Sequence, residues 1–573
     1  MRYQVLMTAL LFSLCLLSGH TSEKYPTDYF LSPVTGPLRL SGTFGELRSN
    51  HFHSGIDIKS RNGQIGEPIL ACAEGRVSRI KVSATGYGKA LYIDHPNGYT
   101  TVYAHLDEFD PAIEAYVDSH QYANAAFEVD LFPGPGELKV SRGQVIGTMG
   151  LTGSTFGPHL HFEMRDTRTE KPVNPLFFGL EVADDEPPRI HELKIYSLNN
   201  RLVAGDELKP RIGRIGTNYH LHGDTLEVGH DKIGLGLKTY DLMSAVPNMN
   251  GVYAIRMLRD SQLSYSFRME TFSFDETRYI NAHLDYAEQV SQRSYFNRLY
   301  LMPGNQLSAY EHEKGSGLIA VPDSGTTEIL IQVEDFAGNE TSLRFWIKKG
   351  ATKEEQVSPS YTYLLPYDEQ SLIDTAGIRL FFPKGSLYED LYLRYSATTD
   401  PSDGLYSAVH HVHDFKTPVH TDFQISIRPS GLPEDRRHQA FIAYCDHRNR
   451  TYNCGGEWQD GMLTTNAGKL GDYSIMVDDR PPVLTPHRFS SNLEGRPGFS
   501  FKVVDNVRST KDVEGLRYRG RVDGEWILLE YDAKNDLLSH TFTDRTGTGT
   551  HELILEVWDA VGNLATWTQS FTR

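Results

Sequence analysis

Three short segments of this chain carry histidine in patterns suited to chemistry: His51-Phe52-His53-Ser54-Gly55-Ile56-Asp57, Tyr103-Ala104-His105-Leu106 and Gly157-Pro158-His159-Leu160-His161-Phe162-Glu163. In the third, strand alternation puts His159 and His161 on one face and Leu160 and Phe162 on the other. Two imidazoles over an apolar backing make part of a metal site, although a His-x-His pair alone is more often a polar strand face. His53 and Asp57 add a neutral nitrogen and a carboxylate oxygen, and the alternation in Gly55-Ile56-Asp57-Ile58 turns the aspartate away from the core. A catalytic zinc takes three protein ligands and keeps a further position for water, whose pKa it lowers. Spacing alone does not choose between His159 and His161 as the ligand. The other one, with His105, is left for general acid–base work or for steadying an oxyanion.

The elements that position these residues are expected to be strands. The chain has 573 residues, too many for one core, and is rich in aromatic residues, with 31 Tyr and 27 Phe, and in Gly and Pro throughout. That composition fits short strands joined by turns, and no apolar stripe of helical period is sustained beyond the N-terminus. The expected fold is mainly β: an N-terminal antiparallel β-domain carrying the histidines, followed by several β-sandwich domains. Two double-proline breaks, Asp185-Glu186-Pro187-Pro188 and Asp479-Arg480-Pro481-Pro482, divide the chain. After each, the sequence partly repeats itself. Gly236 to Asp241 matches Ser500 to Asp505, and Asp335-Phe336-Ala337-Gly338-Asn339 matches Asp559-Ala560-Val561-Gly562-Asn563. The Asp-x-x-Gly-Asn element is a turn, because Gly and Asn tolerate left-handed φ and Asp bonds its own backbone. The expected division is a signal peptide over 1–21, a catalytic domain over 25–185, sandwiches over 186–350 and 479–573, and a further β-domain over 355–478. The first sandwich carries an insertion, Phe267 to Ser316, whose structure the sequence does not assign.

A net charge of −18 argues against wrapping nucleic acid, which needs a basic footprint. Met1-Arg2 followed by the apolar run from Val5 to Leu17 reads as a secretory signal, too short to span a membrane. Leu14 before Cys15 argues against a lipid anchor. The expectation is an exported protein of the periplasm, cell envelope or extracellular space, with no transmembrane segment in the mature chain. Cys72 reads as a buried structural thiol, and Cys445 and Cys454 flank a polar turn across which they could pair. His410-His411-Val412-His413-Asp414 has no companion motif and reads as an exposed strand or loop rather than a metal site.

The ordered set of His53-x-x-x-Asp57, Tyr103-Ala104-His105-Leu106 and His159-Leu160-His161-Phe162-Glu163 resembles the LytM/lysostaphin-type metallopeptidases of family M23. Phe44-Gly45-Glu46-Leu47-Arg48, Gly143-Gln144-Val145-Ile146-Gly147 and Thr152-Gly153-Ser154-Thr155 fall in the family's order. The resemblance covers about a quarter of the chain. It implies zinc bound by His53, Asp57 and His161, with His105 and His159 positioning the water and stabilising the tetrahedral intermediate. It implies a small antiparallel core with a groove over the metal, and a peptidoglycan substrate cut in stem-peptide crosslinks or glycine bridges. The Asp-x-x-Gly-Asn endings resemble those of immunoglobulin-like modules in bacterial exported proteins, which could position the catalytic domain or bind an envelope partner. The rival expectations are a non-catalytic envelope protein that binds wall or activates another hydrolase, and a scaffold. Two features depart from the family. A long segment between His105 and Gly143 is expected as a loop or short helix beside the groove, where it would restrict substrates or act as a lid. Phe156 stands where the family usually has glycine; its ring would either narrow the approach to the metal or pack against that segment, and packing is the expectation.

Overall fold

The computed structural model describes residues 24–198, 204–244, 247–311, 315–351, 360–375, 377–399 and 404–573, so the expected signal peptide and Cys15 lie outside the described residues. The architecture is almost wholly β. The N-terminal unit is one sheet built from β1 (Leu40–Gly42), β2 (Ile56–Lys59), β3 (Pro68–Leu70), β4 (Gly75–Val82), β5 (Lys89–Asp94), β6 (Tyr99–Phe109), β7 (Val129–Leu131), β8 (Lys139–Val140), β9 (Val145–Met149), β10 (His159–Asp166) and β11 (Pro172–Val173). Its main path runs β1-β2-β10-β6-β5-β4-β7, every neighbouring pair antiparallel. Ile56, Ile58, Leu160 and Phe162 all turn into one apolar core with Tyr103 and Leu106. That alternation leaves Asp57, His159 and His161 for the opposite face.

The long segment after His105 does not flank the groove. Its first half is a helix, α1 (Pro111–Asn124), started by Asp110, whose carboxylate accepts from the Ala112 N–H, and by Pro111 in the first turn. Ile113, Val117 and Gln121 are its buried positions, one turn apart. The second half supplies β7, which pairs with β4 at the sheet edge remote from β2 and β10. Sheet pairing, which is not encoded locally, has carried the insertion away from the histidines.

Two sandwiches and a third β-unit follow. In the first sandwich, the sheet containing Arg189–Leu198 and Lys232–Leu242 faces the sheet containing Thr327–Glu334 and Glu340–Lys349 across one core. The insertion from Phe267 onward forms the short helices Ile280–His283 and Tyr286–Gln292 and joins three units. Phe272 packs on Phe44 and Phe52, with ring centroids 5.5 and 5.8 Å apart, and Thr277 Oγ1 accepts from the Phe52 N–H. On its other side Arg278 pairs with Asp422 at 2.8 Å. Phe44 and Phe52 thus belong to the sandwich's core although they flank the first histidine segment.

The unit beyond residue 360 has a two-stranded, a five-stranded and a six-stranded sheet around its own core, and Val409–Val412 of the histidine-rich segment is one of its strands. His410 is buried there rather than exposed: its Nδ1 bonds the Tyr395 hydroxyl, and burial pushes its pKa down to about 4. Cys445 and Cys454 are both free thiols. The ladder sets Cys445 opposite Thr451, while the Cys454 N–H donates to Ile442, so the two thiols stand on opposite faces of the hairpin.

The last sandwich, with Gly498–Val504 in one sheet and Thr550–Trp558 in the other, folds back onto the N-terminal sheet. Lys534 Nζ donates to the carbonyls of Leu151 and Thr155 at 2.5 and 3.1 Å, and Arg545 lies 3.8 Å over the ring of Tyr122 on α1. Among the described residues no helix is long and apolar enough to cross a membrane.

Candidate active site

Register explains the convergence. His161 on β10 lies opposite Asp57 on β2 and opposite Ala104 on β6. His53 arrives from the loop before β2, where Gly55 passes so near that a Cβ there would sit 2.3 Å from the Phe162 carbonyl oxygen. His105 should face the core by strict alternation. Its φ of +62° turns the strand, so that Tyr103 and Leu106 both point into the core while His105 reaches the histidine face. Its ring meets that of His159 edge-on at 4.9 Å.

Three atoms form a near-equilateral triangle. His53 Nε2, His161 Nδ1 and Asp57 Oδ1 are each 3.0 Å from the other two, and all three residues are buried. The remaining heteroatoms assign the protons. His53 Nδ1–H donates to the Thr43 carbonyl at 2.8 Å, and His161 Nε2–H donates to Glu163 Oε1 at 2.8 Å. With both rings neutral, the inward atoms are two nitrogen lone pairs and a carboxylate oxygen, a set that is stable around a cation. Burial opposes a charge on His161, but Asp57 and Glu163 outweigh it and push its pKa up to about 9, so that without a metal ion a proton on Nδ1 takes the place of the cation. Among the described residues the three form a group competent to hold a metal ion.

The surroundings fix the ligands. Arg48 donates to Asp57 Oδ2 at 2.8 Å. Burial alone would raise the Asp57 pKa, but His53, His159 and His161 outweigh it and hold the carboxyl well below its usual range. Glu163 is buried and stays ionised for a similar reason: burial opposes its charge, while Arg165, His161 and Ser54 favour it more strongly. Arg165 Nε donates to Glu163 at 2.6 Å, Ser54 Oγ at 2.5 Å, and Tyr87 also donates to it. His105 Nδ1–H donates to the Thr152 carbonyl at 2.9 Å. Burial first, then His161 and His159, pushes the His105 pKa down to about 3, which keeps it a neutral base. His159 Nδ1 lies 2.8 Å from the Gly157 carbonyl, and its Nε2 is 3.5 Å from Asp57 Oδ1.

All five residues singled out in the sequence, His53, Asp57, His105, His159 and His161, meet in one open cleft of about 760 Å³. Phe156 also lines it, and at 95% exposure its ring packs on nothing, contrary to the expectation that it rests on the inserted segment. Glu163, Arg165 and Arg48 stood within or near the motifs without a role. Their signal was available in part, since His161, Glu163 and Arg165 share one strand face. Tyr87 comes from a turn that no spacing rule connects to the histidines.

Residues 51–125 and 135–175 match the model of Peptidase family M23, and residues 362–478 match a Zu5-like domain. The chain is 35% identical over 151 residues to the DD-carboxypeptidase/endopeptidase Mpg of Neisseria meningitidis serogroup B, covering 26% of this chain and 28% of that protein. It is 33% identical over 159 residues to the murein hydrolase activator NlpD of Salmonella dublin, covering 28% of this chain and 33% of that protein. The chain thus spans about a third or less of the length of these curated relatives. The catalytic domain of lysostaphin from Staphylococcus simulans aligns at 21% identity and a TM-score of 0.19 over 25% of this chain and 93% of that one. The sheet that gathers the two histidines and the aspartate is a Peptidase family M23 domain at the N-terminal end of a chain that continues into several β-domains.

Proposed function

We propose that this chain is an exported zinc endopeptidase that hydrolyses peptide bonds of bacterial peptidoglycan, in stem-peptide crosslinks or bridges. The observation that carries the reading is the 3.0 Å triangle of His53 Nε2, His161 Nδ1 and Asp57 Oδ1, two imidazole nitrogens and a carboxylate oxygen converging on one point. Two imidazole nitrogens and one carboxylate suit zinc better than calcium or magnesium, which prefer all-oxygen sets. Zinc held there supplies a Lewis acid and a water of lowered pKa. The chain's own residues do the rest. His105 and His159, each with Nδ1 beside a backbone carbonyl, present Nε2 to take a proton from the water and return one to the leaving amine. In protonated form either can donate to the oxyanion. Export rests on the charged start and apolar run of the first residues. Residues 25–185, 186–350, 355–478 and 479–573 are read as separate units, supported by four large apolar cores, and the second and fourth as immunoglobulin-like.

The rival reading, a non-catalytic envelope protein that binds wall or activates another hydrolase, draws on the likeness to NlpD. Mature protein is incubated with peptidoglycan sacculi, with and without chelator, and the products are weighed by mass spectrometry. Soluble muropeptides with newly cut peptide bonds are expected from the wild type and not from the chelated protein or from His53→Ala. Equal release by His53→Ala, or none by the wild type, rejects the peptidase reading.

A further inference from the structure

A second group of ligand atoms lies where the catalytic unit hands over to the first sandwich. Asp184 comes from the linker before the double proline, Asp241 from the end of the strand Lys232–Leu242, and Asp335 from the turn after Thr327–Glu334. One oxygen of each lies within 4.8 Å of the others. Among the described residues no Lys, Arg or His forms an ion pair with any of the three.

Acidic clusters are common, and this one is distinguished by what is left unpaired inside it. Asp241 is only 2% exposed, and its Oδ1 is buried with no hydrogen-bond partner. Opposite it in the ladder stands Asn250, fully buried, whose side-chain oxygen and nitrogen are also without partners. Cross-strand residues share a sheet face, so two orphaned polar groups look into one small region. Leaving such groups unsatisfied is destabilising, the more so when they are charged. Beside them is a cavity of about 470 Å³ lined in part by Asp184, Asp241, Asn174 and Thr43, with room for water. Asp335 is already oriented: its two oxygens accept from the Asn339 N–H and Nδ2–H at 2.9 Å, and the same Nδ2 donates to the Asp184 carbonyl at 3.3 Å. Burial, then the neighbouring carboxylates, pushes Asp241 up to about 8, and burial pushes Asp184 to about 6.

We propose that Asp184, Asp241 and Asp335 bind a hard divalent cation, calcium, at the joint between the M23 domain and the first sandwich. The ligands are oxygens only, which excludes a preference for zinc, and they come from three separate elements with water space beside them. Calcium tolerates such irregular sets of six to eight oxygens, whereas magnesium demands a near-ideal octahedron.

The chain contains its own control. Asp478, Asp505 and Asp559 repeat the arrangement after the second double proline, down to Asn563 Nδ2 donating to the Asp478 carbonyl at 2.8 Å. There, however, Asn506 Nδ2 donates to Asp478 Oδ1 at 3.0 Å, three N–H groups donate to Asp559 Oδ1, and none of the three has a buried oxygen without a partner. The deepest oxygens of that copy are met by the protein's own donors.

The test uses the whole mature chain, loaded with zinc, stripped with a calcium-selective chelator and titrated calorimetrically with calcium chloride or magnesium chloride alone. One calcium is expected to bind, with a Kd no weaker than about 1 mM, the range of extracellular calcium modules. Asp241→Asn should lose that equivalent, and Asp505→Asn should keep it. Calcium should raise the melting temperature of the wild type but not of Asp241→Asn, and without calcium Asp241→Asn should melt no lower than the wild type because it relieves repulsion. If Asp241→Asn does not fold, Asp184→Asn replaces it with the same expectations. No calcium binding by the wild type, an unchanged equivalent in the Asp241 or Asp184 variant, or binding of magnesium alone overturns the assignment.

Discussion

The His53, Asp57, His161 cluster and the Asp184, Asp241, Asp335 cluster both gather three ligand atoms, but they treat the far side of each ligand differently. In the first, every ligand is held from behind: His53 by Thr43, Asp57 by Arg48, His161 by Glu163, and Glu163 in turn by Arg165 and Ser54. In the second, Asp335 is held by Asn339, while the deepest member, Asp241, has an oxygen with no partner at all. The first therefore fixes direction and spends a single carboxylate, as a site must that orients a reacting water. The second concentrates negative charge with looser direction, as suits a joint stiffened by a spherical ion. Chemistry needs placement; a joint needs attraction.

That contrast can be broken at several points. The largest effect is expected from removing a ligand: His161→Ala should lower muropeptide release to that of chelated protein while leaving the calcium equivalent intact. Next, His105→Ala or His159→Ala should retain zinc, measured by elemental analysis, yet lose about 10²–10⁴-fold in turnover. Retained turnover would show that these residues only shape the cleft. Glu163→Gln tests holding from behind: zinc affinity or activity should fall about 10–100-fold, the usual cost of losing a ligand's hydrogen-bond partner. The smallest effect lies in the insertion that joins the units. His283 is buried between Tyr310 and Asn297, and burial pushes its pKa down to about 4. Its ordinary value is near 6.5, so the unfolded chain takes up a proton between pH 6.5 and 4 that the folded chain refuses. Stability should therefore decline as pH falls through that window, and His283→Gln should flatten the decline in melting curves. An unchanged slope would place the acid sensitivity elsewhere, for instance at the histidines of the cleft.

Much of the active site was legible because strand geometry has a period of two. Ile56, Ile58, Leu160 and Phe162 point inward, so Asp57, His159 and His161 had to point the other way. His105 broke that rule, since its left-handed turn places it beside residues that alternation puts on the opposite face. Glu163 and Arg165 obeyed it but carried no chemical signature of their own. What local pattern does not encode is which edge of a sheet a strand joins. For that reason the segment after His105 was expected beside the groove and lies instead at the β7 edge. The insertion after Phe267 escaped assignment because helices as short as Ile280–His283 show no period. Asp335 was readable as a turn residue, but the sequence did not show that the turn would bring it against Asp184 and Asp241.

The grip of Lys534 on the Leu151 and Thr155 carbonyls bears on when the cleft is completed. The cleft wall next to His159 is secured by a lysine encoded almost four hundred residues downstream. A chain emerging N-terminus first would have its histidines in place long before that wall is tied down. The final sandwich thus acts as a completion mark: a chain truncated before it keeps every ligand yet leaves the rim of its cleft unfastened.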